Sequence, residues 1–287
     1  RIPFTHRQAA HCESGVASNL LSHYGLALSE PLAFGIGGGL FFGYFPFIRL
    51  NHLPLTTFRA GNGRIIDRVA GRLKVKIKWE KFRSPQSAMA ALDRKLDQQT
   101  PVGCRTGAYW LTYFPRRYRF HFNMHNLVAY GRSNGDYLIS DPVFPEPVTC
   151  PEKDLRKARF ARGPLPPKGK MYYVTSVPAK IDLRGAIVKG IRAVCNAMTR
   201  APVGFIGVKG IRYLADKVEH WPQKLSEEKA ALNLGQVIRM QEEIGTGGAG
   251  FRFLYAAFLQ ESASILDEKR LLDLSQKMTT VGDRWRD

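Results

Sequence analysis

The chain has 287 residues, 44% of them hydrophobic, which is enough for one large domain or two ordinary ones around a real core. Forty-three Lys and Arg stand against 24 Asp and Glu, a formal net charge of +19 that suits a polyanion or an acidic protein as partner. No apolar run is long enough for a membrane-spanning helix, and four scattered cysteines with no Cys-x-x-Cys pair exclude a disulfide scaffold or a zinc ribbon and predict a reducing, cytoplasmic setting.

In chain order, residues 13–24 place Val16, Leu20, Leu21 and Tyr24 at helical spacing, which predicts a helix with Cys12 at its N-terminus. Arg1 is not a methionine and no signal-peptide pattern follows it, so a missing or processed start is expected. The run from Gly35 to Phe45 is too rich in glycine for a helix and too aromatic for a linker. It is expected to be a close-packed loop, with Gly37, Gly38, Gly39, Phe41 and Phe42 as candidate linings of a substrate pocket. A short helix is predicted around 65–73 and a half-buried strand over 74–79. A helix over 84–98 opens on Ser84-Pro85, and a buried strand covers 101–104. After the aromatic and basic stretch 109–123 come two strands, 125–131 and 137–141, joined by a turn at Ser133-Asn134-Gly135-Asp136; Met171–Val174 is a last strand. From about 181 the pattern is helical throughout. Asp182 caps a first helix, a second covers 207–220, and Ser226 opens a third. A glycine-rich break spans 245–250, a fourth helix covers 251–266, and Asp267 caps a fifth.

Three residues carry chemistry. Cys12 at a helix start gains thiolate character from the amide dipoles there. His125 opens one strand and Asp141 closes the next, so thiol, imidazole and carboxylate occur in the order a cysteine nucleophile needs. His11 and His121 compete for the base; His125 is preferred because it directly precedes the apolar strand. Gln8 is a candidate oxyanion donor beside the Cys12 backbone amide. His121 and His125 form the one His-x-x-x-His spacing, without a third ligand, and Gly35-Ile36-Gly37 lacks the context of a dinucleotide loop. No metal and no cofactor held by the chain itself is expected. The charge is uneven: residues 1–180 hold 27 Lys and Arg against 11 Asp and Glu, residues 181–287 hold 16 against 13. Cys104 and Cys195 are expected to be buried.

His11-Cys12-Glu13-Ser14-Gly15, Asn19-Leu20-Leu21, Leu26–Pro31 and Phe34–Leu40 resemble the N-terminal domain of the butirosin biosynthesis protein H family. Gly247–Arg252 with Tyr255, Phe258, Leu259 and Glu261 resembles the helical domain that accompanies it. The resemblance implies an α+β fold, a papain-like cysteine-peptidase-type domain over 1–178 followed by an α-helical domain over 179–287. It implies an acyltransferase that takes an acyl group from an acyl carrier protein thioester onto Cys12 and passes it to an amine or other nucleophile, with His125 as base and Asp141 as orienting acid. The donor is then the phosphopantetheine arm of the carrier, the partners an acidic carrier protein and a small-molecule acceptor. Arg116, Arg117 and Arg119 are the candidate docking residues. Papain-type enzymes place the oxyanion Gln six residues before the Cys, where this chain has His6. A thioesterase or peptidase acting through water is the alternative. A nucleic-acid-binding protein is a minor one, because no nucleic-acid motif accompanies the charge. A homo-oligomer stays open.

Overall fold

The computed structural model describes residues 2–50 and 52–287. In chain order the elements are α1 (Cys12–His23), α2 (Glu30–Ile36), β1 (Leu40–Leu50), β2 (Leu53–Arg59), α3 (Arg64–Leu73), β3 (Lys76–Glu80), α4 (Pro85–Asp97) and β4 (Val102–Thr106). There follow β5 (His125–Ser133), β6 (Asp136–Ser140), β7 (Val148–Pro151), α5 (Glu152–Arg159), β8 (Met171–Ser176), α6 (Leu183–Thr199), α7 (Gly207–Lys224), α8 (Glu227–Glu242), α9 (Arg252–Leu266) and α10 (Arg270–Arg286).

The chain forms two compact units. One joins the segment ending at Glu30 to Leu73–Ile181, the other joins Pro31–Arg72 to Asp182–Asp287. The boundary at Ile181 lies close to the expected cut at 178, but residues 31–72 belong with the C-terminal helices, which corrects the expectation of one continuous catalytic domain. The reason is apolar cover. Strands β1 and β2 pair as an antiparallel hairpin, Phe45 opposite Leu55, and its buried rings need helices against them. Phe42 meets Phe58 edge-on and lies 6.0 Å from Trp285 of α10, while Phe34 of α2 stacks on Phe251 at 5.1 Å. The second unit is therefore helical around a β-hairpin.

The run 35–45 is not a loop. Gly35 and Ile36 finish α2, and Leu40–Phe45 begin β1. Gly37 and Gly39 are small because a Cβ there would meet Ile65 and the Phe34 ring at 2.6 and 2.4 Å. Phe42 is fully buried, so its ring fills the core of the second unit, contrary to the pocket-lining role expected of it; Phe41 is half-buried on β1. Asp267 also departs from expectation. It ends α9 in a left-handed conformation (φ 55°), and the residue before α10 is Lys269.

The first unit is built on a six-stranded antiparallel sheet of order β3-β8-β4-β5-β6-β7. Alternate residues on a strand face opposite sides. Val102, Cys104, Leu127, Ala129, Ile139 and Met171 pack with Met89, Leu92 and Leu96 of α4 and Leu155 and Ala158 of α5. The other face of β5 meets α1, whose residues Cys12 to Leu21 are all buried. The cap of α4 is as expected: the Ser84 side chain accepts from the Ser87 amide, with Pro85 in the first turn. Strand β7 and helix α5 were not legible beforehand; α5 is eight residues long and six of them are charged. Among the described residues no helix is long and apolar enough to cross a membrane.

Candidate active site

Cys12 is the first residue of α1, and its amide, like any in a first helical turn, has no intrahelical acceptor. The segment before it is held by Glu30, whose carboxylate accepts from the Ala10 and His11 amides at 2.7 and 2.8 Å and from the Ser14 hydroxyl at 2.9 Å. His11 is not a base candidate: it caps the helix, its Nδ1 within 2.9 Å of Ser14 Oγ. Gly15 sets how closely α1 approaches the Asp141 turn. A Cβ at this position would lie 2.6 Å from both Ala9 and Pro142, and the Ala9 amide donates to the Pro142 carbonyl at 2.7 Å.

Sheet register brings in the other two groups. Thr106 on β4 is opposite His125, and Ser140 on β6 is opposite Val128, so Asp141 leaves β6 facing the start of β5. His125 Nε2 lies 2.7 Å from Asp141 Oδ2, with both side chains buried. Cys12 lies close enough for its thiol to act on the imidazole as well. Burial alone would pull the His125 pKa down; the Asp141 charge and hydrogen bond, helped by Cys12, push it up to about 10. A protonated ring beside Asp141 follows from that raised value. His121, the rival, is exposed and stacks on Tyr109 at 4.2 Å.

Supporting groups that the sequence did not single out surround the trio. Tyr113 donates to Asp141 Oδ2 at 2.7 Å, and burial, then that carboxylate, push its phenol well up. Phe114 presents its edge to the His125 ring. Asn126 directs Nδ2 at Cys12 Sγ from 4.0 Å and accepts from Tyr172 Oη at 3.1 Å. The only prior signal for Asn126 was that it follows His125. Gln8 is exposed. His6, in the place of the papain-type Gln, sets Nε2 3.0 Å from the Phe144 carbonyl and Nδ1 2.8 Å from Ser140 Oγ. Both of its nitrogens are occupied, so it has no proton to offer an oxyanion. Arg116 and Arg117 are exposed in the segment between β4 and β5, and Arg119 is half-buried there. Cys104 is buried as expected, but Cys195 is exposed on α6.

A thiol at a helix start, facing an antiparallel sheet that carries the imidazole and the carboxylate on adjacent strands, is the arrangement of the papain-like cysteine enzymes, here followed by a mainly helical region. Over residues 11–142 the chain matches the family described as Butirosin biosynthesis protein H, N-terminal. Residues 153–287 match a family described as Domain of unknown function (DUF4872). No curated protein is significantly similar to the chain. A solved structure described as a C39-like peptidase from Bacillus anthracis is similar at 16% identity and a TM-score of 0.41, covering 62% of this chain and 96% of its own. That score is too low to carry weight, and the fold class rests on the chain's own topology.

Proposed function

We propose that this chain is a cysteine-dependent acyltransferase that moves an acyl group from an acyl carrier protein thioester to an amine or other nucleophilic acceptor in specialised metabolism. The observation that carries the reading is the buried His125 imidazole, held 2.7 Å from Asp141 and near enough to Cys12 for the thiol to act on it. The match to the butirosin biosynthesis protein H family over residues 11–142 supports a biosynthetic role.

The Cys12 thiolate attacks the thioester carbonyl. A carbon–sulfur bond to Cys12 forms, the bond to the pantetheine sulfur breaks, and the His125 imidazolium returns its proton to the leaving thiolate. A neutral amine then attacks the acyl-Cys12 carbonyl. The carbon–nitrogen bond forms, the Cys12 thiolate leaves, and His125 takes the amine proton, which regenerates the starting ion pair. Asp141 holds the ring throughout, and Tyr113 holds Asp141. Exchange of one thioester for another is nearly isoenergetic. The Cys12 amide is the nearest oxyanion donor, acting from the helix start. Arg116 and Arg117, with the half-buried Arg119 beside them, are proposed as the docking face for an acidic carrier, since surface cations speed encounter with an anionic partner.

Intact-mass measurement after mixing the chain with acyl-loaded carrier proteins tests this. An acyl increment on Cys12 that is discharged by added amine is the expected result. An increment discharged at the same rate with and without amine would make the enzyme a thioesterase. No increment from any carrier would overturn the reading.

A further inference from the structure

On the face of the sheet that meets Cys12, a row of side chains runs across four strands. Asn126 on β5 bonds Tyr172 on β8, and the Tyr172 ring crosses β4 over Gly103, where a Cβ would lie 2.2 Å from it. Trp79 on β3 is 4.3 Å from Tyr172, centroid to centroid. Arg105, opposite Asn126 in register, reaches back along the row and sets its guanidinium 5.4 Å from the Trp79 ring. From β5 to β3 is three strand spacings, about 14 Å.

Arg105 has unusual company. Its Nε is buried and has no acceptor, and among the described residues no carboxylate pairs with it. Glu80, the acid of β3, is turned to Lys78 at 3.1 Å and to the Tyr173 hydroxyl at 2.8 Å. The Arg105 amide donates to the Lys170 carbonyl at 3.1 Å, which brings Lys170 alongside. Burial, then Arg105, Lys81 and Lys168, pull the Lys170 ammonium below its ordinary range. Among the described residues none of these four cations has a carboxylate within ion-pair distance, one carries an orphaned buried donor, and their charges repel one another unless an anion joins them.

We infer that Arg105 and Lys170 form an anion subsite for the phosphodiester of a phosphopantetheine arm whose thioester end lies at Cys12. The inference rests on the proposed carrier-thioester reading and names where that donor is gripped. Guanidinium and ammonium suit a phosphate oxygen pair. The Trp79–Tyr172 row, with Tyr172 fully buried in it, lies between subsite and thiol.

The test has a binding arm and a kinetic arm. In the first, phosphorus line broadening of free 4′-phosphopantetheine is measured with the intact chain. Broadening with the wild type that is lost in Arg105→Gln and reduced in Lys170→Gln, whose side chain is half exposed, is expected; Arg105→Lys should retain part of it. Equal broadening in all four proteins, or none in the wild type, would overturn the subsite. Inorganic phosphate at the same concentration should broaden far less, and equal binding would assign the site to free phosphate instead of the arm. In the kinetic arm, Cys12 acylation by an acyl-phosphopantetheine is compared with that by the acyl-pantetheine lacking phosphate. One charge-assisted contact predicts a ratio near tenfold in the wild type, falling towards one in Arg105→Gln. An unchanged ratio would overturn the subsite. Arg105-dependent broadening with no Cys12 acylation from either thioester would uphold the subsite and reject the acyltransfer reading.

Discussion

The two units use their buried polar groups differently. In the first, His11, Ser14, Asn126, His125, Ser140 and Asp141 are buried around Cys12 and bonded to one another or to the turns that hold it. In the second, buried polar side chains tie helices to the backbone. Ser275 donates to the Ala256 carbonyl and Gln241 to that of Trp285, while Arg252 donates to Ala249 and lies 3.8 Å over the Trp285 ring. Charge differs too: the first unit has 22 Lys and Arg against 10 Asp and Glu, the second 21 against 14. A buried polar network aimed at a thiol is a costly feature that packing alone does not require, whereas side chain to carbonyl ties are ordinary stabilisation.

The comparison breaks most readily at the nucleophile. Cys12→Ser and His125→Ala should each lower acyl transfer by about 10⁴-fold while leaving the circular dichroism spectrum unchanged. If His121→Ala abolished transfer and His125→Ala did not, the imidazole assigned from the sheet register would be the wrong one. Asp141→Asn should retain the fold and lose ~10²–10⁴-fold, since the ring loses its orienting acceptor; a loss below tenfold would leave Asp141 a structural turn residue.

For the second unit the expected effect is on stability. Arg252→Leu removes a carbonyl hydrogen bond and a close cation–ring contact, for about 2 kcal/mol in urea unfolding. Iodoacetamide labelling of Cys12 in the folded protein should keep its rate. A parallel fall in both would dissolve the distinction between the units.

A pH series sharpens it further. The folded His125 pKa is raised from its ordinary 6.5 to about 10, so the stability it contributes is complete below about 6.5 and is lost as pH rises through 10. The urea midpoint should therefore decline from pH 6.5 to 10 in the wild type, with a shallower decline in Asp141→Asn. The same slope in both would remove the Asp141 contact as its cause. Labelling of Cys104 and Cys150 should stay slow over this range, because burial holds both thiols up, Cys150 to about 12. The smallest effect belongs to Tyr172→Phe, which frees Asn126 Oδ1 and should slow Cys12 acylation only a few-fold; no change would make Asn126 a spectator.

Much of the first unit was legible because its signals are local. Helical spacing marked α1, the Ser84-Pro85 pair marked the start of α4, and the alternation and turn around 133–136 marked β5 and β6. The thiol, imidazole and carboxylate stood in the right order on those elements, so their chemistry could be proposed from residue types alone. The ring that meets Asp141 is that of His125, for which the sequence offered only adjacency to a strand as a reason to prefer it over His121. Strand register decided it, by pairing Thr106 with His125 and Val128 with Ser140. Local patterns were silent wherever a contact joins distant segments. The glycines of 35–39 read as a pocket loop because nothing nearby shows Phe34 and Ile65 pressing against them. Residues 31–72 read as part of the first domain because their cover, Phe251 and Trp285, lies two hundred residues further on. Cys195 read as buried because its neighbours are apolar, but helix rotation turns it outward. Side-chain types and spacing determine which elements form and which groups react. Which surfaces those elements cover depends on the packing of the whole chain, which no local pattern records.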